Sequence, residues 1–146
     1  MNLGIKHTLG VAKYMKENAS SFGLDPEDMW VLGYLHNISS HMEDDSKCDD
    51  NSLILHKLGF KMAKYTSWCH ESPIKYCNNL IVELPPTKLI LLWKAMYSIN
   101  SEGEVVEYDE VLKELKSKLG VLNVRYMIAA ETISWLKKYD ESLMTK

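Results

Sequence analysis

Trp30-Val31-Leu32-Gly33-Tyr34-Leu35-His36-Asn37-Ile38-Ser39 is the stretch from which the fold follows. Met29, Leu32, Gly33 and His36 recur at three- and four-residue steps, which puts them on one face of a helix. His36 is therefore expected to face inward, with Asn37 beside it at the helix end. The start of this helix is marked as well. Asp25 can cap it, Pro26 fits the first helical position, and Glu27 and Asp28 suit the positive end of the dipole. Gly33 lowers helix propensity. Close approach of a neighbouring helix is the compensation expected for it.

That neighbour lies upstream. Val11, Ala12, Met15 and Ala19 form an apolar stripe on a helix expected over residues 3–19, and His7 sits one turn before Val11 on the same side. Gly23 is placed to close the helix in a left-handed conformation. Two histidines on adjacent apolar helices, His7 and His36, can then converge on one point. If the backbone turns at this helix end, Asn37 can reach that point too.

Downstream the periodicity stays helical, and no alternating stretch is long enough for a sheet. Residues 39–51 are polar and acidic, without the glycine of a calcium-binding loop, and are expected to form a solvated loop. Helices are expected over residues 52–67, from Ser72-Pro73 to Leu84-Pro85-Pro86, over 87–99, over 108–119 and over 123–139. Leu55, Leu58, Gly59, Met62 and Ala63 should face inward in the first of these, and Ile74, Cys77, Leu80 and Ile81 in the second. The helix over 87–99 is apolar on nearly every side and so is expected at the centre. Leu112, Leu115 and Leu119 serve the next helix, and Val124, Met127, Ile128, Trp135 and Leu136 the last. Residues 140–146 are expected to fray. The chain of 146 residues thus reads as one all-α domain of six to seven helices, with its core over residues 3–139.

Composition narrows the function. Net charge is −3, which gives no basic footprint for nucleic acid. The longest purely apolar run, Leu89 to Trp93, is far too short for a bilayer. Three unevenly spaced cysteines and an opening segment unlike a signal peptide read as a reduced, cytoplasmic protein. Tyr, Trp and Met are plentiful enough to build a homodimer interface. Cys69-His70 followed by Cys77 lacks the closely spaced ligand pairs of structural zinc.

Three segments carry a resemblance. His7-Thr8-Leu9-Gly10-Val11-Ala12, then Gly23-Leu24-Asp25-Pro26-Glu27-Asp28, then Leu32-Gly33-Tyr34-Leu35-His36-Asn37-Ile38 is similar to the opening of the HD-domain superfamily. The match is specific in order and spacing over the first forty residues. Beyond them it rests on helix order, with Leu92-Trp93-Lys94-Ala95-Met96, Ser101-Glu102-Gly103 and Tyr108-Asp109-Glu110-Val111-Leu112 similar to the family's last ligand helix and the glycine turn and helix behind it. The resemblance implies an all-helical bundle that hydrolyses phosphate esters of nucleotides or metabolites at one metal ion. It implies His7 and His36 as ligands. Asn37 and Met96 stand where the family has aspartates, and no Asp or Glu occurs between Glu83 and Glu102.

Two neutral imidazoles, an amide oxygen and a soft thioether are a poor match to a hard dication. The expected metal set is therefore His7, His36 and Asn37 in a weakened site for one divalent transition metal (Mn, Fe, Ni or Zn), with Met96 at the missing carboxylate. His56 and His70 correspond to further ligand contacts of some HD families. Each residue also has a structural reading: His7 and His36 as buried histidines bonded nearby, Met96 as core filler, His56 and His70 as half-buried or exposed, Trp30 and Trp93 as core or groove wall. Two functions follow. One is a small-ligand binding or interaction module holding a phosphate-containing molecule. The other is a metal-dependent phosphohydrolase.

Overall fold

The computed structural model describes residues 4–37 and 62–144. Within them the chain folds into seven α-helices and a short 3-10 turn. They are α1 (Gly4–Asn18), the turn Ser20–Phe22, α2 (Pro26–Leu35), α3 (Ala63–Trp68), α4 (Pro73–Leu80), α5 (Thr87–Met96), α6 (Tyr108–Leu119) and α7 (Val124–Met144). The acidic stretch 39–51, His56 and most of the helix expected over 52–67 lie outside the described residues.

The end signals act as their chemistry dictates. The Asp28 N–H donates to Asp25 Oδ2 at 2.9 Å, with Pro26 in the first turn of α2. The Lys75 N–H donates to Ser72 Oγ at 3.2 Å, with Pro73 in the first turn of α4. Gly23 closes the α1 segment at φ 69° and donates its N–H to Ser20 O.

Helix α5 is the centre. Leu89, Ile90, Leu91, Leu92, Trp93 and Ala95 are all fully buried, and the helix packs on α1, α2 and α3. At roughly 1.5–3 kcal/mol for each large apolar side chain removed from water, this run is a major part of the core. Helix α7 packs on α4 and α6. On the far side of the bundle Lys94 Nζ donates to Asp140 Oδ1 and, at 3.3 Å, to the Tyr108 hydroxyl, which itself donates to Asp140 Oδ2 at 2.8 Å. Trp135 meets Trp93 edge-on and stacks on Tyr139.

Helices α1 and α2 approach closely at Gly33, as expected. A Cβ at Gly33 would lie 2.8 Å from Ala12 Cα and 3.1 Å from Ala12 N, so α1 and α2 touch backbone to backbone. The turn after α5 is packed as tightly. A Cβ at Gly103, where φ is +82°, would lie 2.5 Å from Lys6 O.

Four expectations need correction. Helix α5 stops at Met96 rather than near Ile99, because the chain there pairs Ile99 with Val105 in an isolated bridge. Helix α4 stops at Leu80, and Ile81 takes a left-handed φ of 53° with 91% exposure, so Leu80 and Ile81 are not core. Its buried residues are Pro73 and Tyr76, and Ile74 is exposed. Val124 and Met127 are 67% and 56% exposed; the buried face of α7 is Ala129, Thr132, Ile133 and Leu136. Finally, the last helix, expected over 123–139, runs to Met144, and Asp140 is held by Lys94 and Tyr108.

Candidate functional site

His7, His36 and Asn37 form the floor of an open cavity of about 650 Å³, within the range of small-molecule sites. All three are buried, His7 at 3% and His36 at 2% exposure. His7 comes from the first turns of α1. His36 and Asn37 occupy the turn immediately after α2, so the backbone does bend where both side chains must reach one space. The two imidazole ring centres are 6.2 Å apart at an interplanar angle of 63°.

Backbone carbonyls fix the protons on these rings. His7 Nδ1 donates to Asn100 O at 3.2 Å, and His36 Nδ1 donates to Gly33 O. A carbonyl only accepts, so Nδ1 carries the hydrogen in both rings and Nε2 is the lone-pair nitrogen in the neutral form. Burial holds the His7 pKa below its ordinary value, outweighing the Asn100 carbonyl and the Glu114 carboxylate, which pull upward.

The Asn100 carbonyl is itself held by a packed turn. Asn100 Oδ1 accepts from the N–H groups of Glu102 at 3.0 Å and Glu104 at 2.9 Å. Glu114 on α6 clamps the same turn, accepting from the Ser101 N–H at 3.1 Å and from the Ser101 hydroxyl at 2.9 Å. Gly10 and Gly103 let α1 lie against this turn, since a Cβ at Gly10 would meet Gly103 O at 2.8 Å.

His70 lines the cavity too, carried by the segment between α3 and α4. Trp93 Nε1 donates to Cys69 O at 3.2 Å and Glu71 O at 3.1 Å, anchoring that segment on α5. Met96, the last residue of α5, also faces the cavity. The structure therefore brings together His7, His36, Asn37, His70 and Met96. His56 is outside the described residues. Cys69 is buried with its thiol on Thr66 O, and burial pushes its pKa up, so it remains a thiol.

Further lining residues were not singled out from the sequence. Tyr97 and Trp68 add aromatic wall, and burial pushes the Tyr97 phenol pKa up. Lys75 and Arg125, both exposed, stand at the rim, and Arg125 is the chain's single arginine. Glu71 and Glu114 also line the space, but Glu71 pairs with Lys75 at 3.1 Å and Glu114 holds Ser101. A lone arginine at a helix start was the one cue in the sequence, and it has no motif around it.

Two imidazoles on one tetrahedral metal bring their ring centres to about 5 Å, from metal–nitrogen bonds of about 2.0–2.1 Å. The separation here is about 1 Å wider than that. Among the described residues no group of three or more His, Cys, Asp or Glu is arranged to hold a metal ion. Also among them, no helix is long and apolar enough to cross a membrane. Comparison of the chain with protein-family models, with curated proteins and with solved structures gave no match.

Proposed function

We propose that this chain is an HD-domain-like binding module whose cavity takes a small phosphate-containing molecule without metal-dependent hydrolysis. The observation that carries the reading is the floor itself. His7 and His36 face one another in a cavity of ligand size, and both lining carboxylates have other partners. Among the described residues the floor has no anionic ligand; such a floor holds a hard dication weakly and offers no carboxylate to orient or deprotonate water. The cavity and the basic rim are what a binding function requires.

A second reading, metal-dependent hydrolysis of a phosphate ester, has one observation in its favour. Both Nδ1 hydrogens are donated to backbone carbonyls, the arrangement that orients metal-ligating histidines through Nε2. In that reading His7, His36 and Asn37 hold the ion, and the ion supplies an activated water.

The deciding experiment is elemental analysis of untagged protein purified without chelator, joined to a thermal-shift screen of phosphate esters. Saturable stabilisation by one or more esters, without stoichiometric metal after incubation with excess Mn or Ni and without turnover, is the expected result. One equivalent of Mn, Fe, Ni or Zn per chain, lost in His36→Ala together with ester hydrolysis, overturns it.

A further inference from the structure

We propose that the cavity selects phosphate esters of hydrocarbon-bearing alcohols over sugar phosphates, seating the hydrocarbon against an aliphatic wall made by α6 and α7. This rests on the reading that the cavity binds a small phosphate-containing molecule, and it names the rest of that molecule.

The wall is built from two rows. Val111, Leu115 and Leu119 recur every fourth residue on α6, so they share one face. Val124 and Ile128 make a matching row on α7, with Ala129 beside them. The two helices pack against each other, and all six side chains line the cavity. Each is aliphatic and offers neither donor nor acceptor. The wall runs from the interior to the surface, since Val111 is 4% exposed and Val124 67%. The connection from Leu119 to Val124 carries Val121 and Leu122, both exposed, so apolar surface continues along the chain between the rows.

Most polar groups of the cavity come from other elements. His7 is on α1, Asn37 follows α2, and Ser67, Lys75 and Asn79 belong to α3 and α4. On α6, Glu114 reaches the cavity but is engaged by Ser101. On α7, Arg125 is exposed at the rim. A molecule that suits both kinds of lining is itself amphiphilic, and a cavity of about 650 Å³ has room for both of its parts. The hydroxyls of a sugar fare badly on the wall. Laid against aliphatic side chains, they lose water without gaining a partner. A hydrocarbon has no such loss, and each methylene moved from water onto the wall strengthens binding about fourfold.

Calorimetric titration of the full chain with methyl, butyl and hexyl phosphate, a hexose phosphate, hexanol and inorganic phosphate tests this. Hexyl and hexose phosphate have the same carbon count and differ in hydroxyls. Expected are affinities that rise from methyl to hexyl phosphate, and hexyl phosphate at least about tenfold tighter than the hexose phosphate. Ile128→Asn, in the wall, is expected to flatten the dependence on chain length. Val124→Asn, at an exposed position of the same row, is expected to do so with the fold undisturbed. Met127→Ser, equally exposed on α7 but outside the cavity lining, is expected to leave the dependence unchanged, which separates the wall from adhesion to any apolar surface. A hexose phosphate bound as tightly as hexyl phosphate, or a chain-length dependence that survives both wall variants, overturns the inference while leaving a phosphate-binding module. Hexanol bound as tightly as hexyl phosphate removes the phosphate reading while leaving the wall. Failure of every probe to bind removes both.

Discussion

Replacing Gly33 by alanine tests the packing on which the site depends. Two effects oppose each other. Alanine is favoured over glycine inside a helix by about 1 kcal/mol. The added methyl, however, lies 2.8 Å from Ala12 Cα, 3.1 Å from Ala12 N and 3.0 Å from Met15 Sδ. The sulfur is the end of a flexible side chain and can move. The two Ala12 atoms are backbone, so relief requires α1 and α2 to separate. Overpacking of a well-packed core costs about 1–3 kcal/mol, and a rigid backbone neighbour places this case at the upper end. The net expectation is a loss of about 2 kcal/mol, near 6 °C in Tm for a chain of this size. Ala12→Gly is expected not to rescue it, because Cα and N remain in place. Thermal unfolding followed by circular dichroism measures the loss. The separation also carries His36 away from His7, so binding in the cavity weakens with stability. A Gly33→Ala protein as stable as the parent, or more so, would refute the backbone contact between these helices.

Further expectations concern the ends, the floor and the far side of the bundle. Asp25→Ala removes the acceptor for the Asp28 N–H and is expected to cost about 1 kcal/mol in denaturant unfolding; no change in midpoint would deny the cap a role. Burial holds folded His7 below its ordinary 6.5, so on acidification the unfolded chain takes up the proton first. Stability is then expected to be present above that value and to fall as pH drops below it; a Tm flat between pH 7.5 and 5.5, with His7 titrating normally by NMR, would contradict this. Asp140→Asn leaves Lys94, whose side chain is only 15% exposed, without its counter-charge. The expected cost is about 2 kcal/mol, between exposed and buried pairs. Combined with Lys94→Met the loss is expected to shrink; two losses that simply add would show no coupling.

The helical architecture was legible because apolar spacing and end chemistry agree. Asp25-Pro26 and Ser72-Pro73 each combine a cap with a proline, and both helices start there. Helix α5 is apolar on nearly every face, and only the centre of a bundle accommodates that. The errors arose where a hydrophobic residue was assigned inward on periodicity alone. Ile81, Val124 and Met127 fit a helical stripe, yet lie at helix ends and are exposed. The extension of α7 through residues 140–144 depends in part on Lys94 and Tyr108, partners 46 and 32 positions distant. No local pattern announces a tie of that length.

The floor of the site was legible for a different reason: histidine, histidine and asparagine are rare enough on apolar helices to stand out. Their protonation was not legible, because the groups that set it are carbonyls of Asn100 and Gly33, and every residue has a carbonyl. Whether such a carbonyl meets His7 is decided by two glycines, Gly10 one turn along α1 and the distant Gly103, which let the 100–103 turn lie against α1. Glu114 then fixes that turn through Ser101. It follows that substitutions at Gly103 or Glu114, which leave His7 itself intact, act on the floor by releasing its Nδ1 hydrogen from Asn100. A ring freed in this way can exchange tautomers. The tautomer of His7 is thus a property of the turn as much as of the histidine.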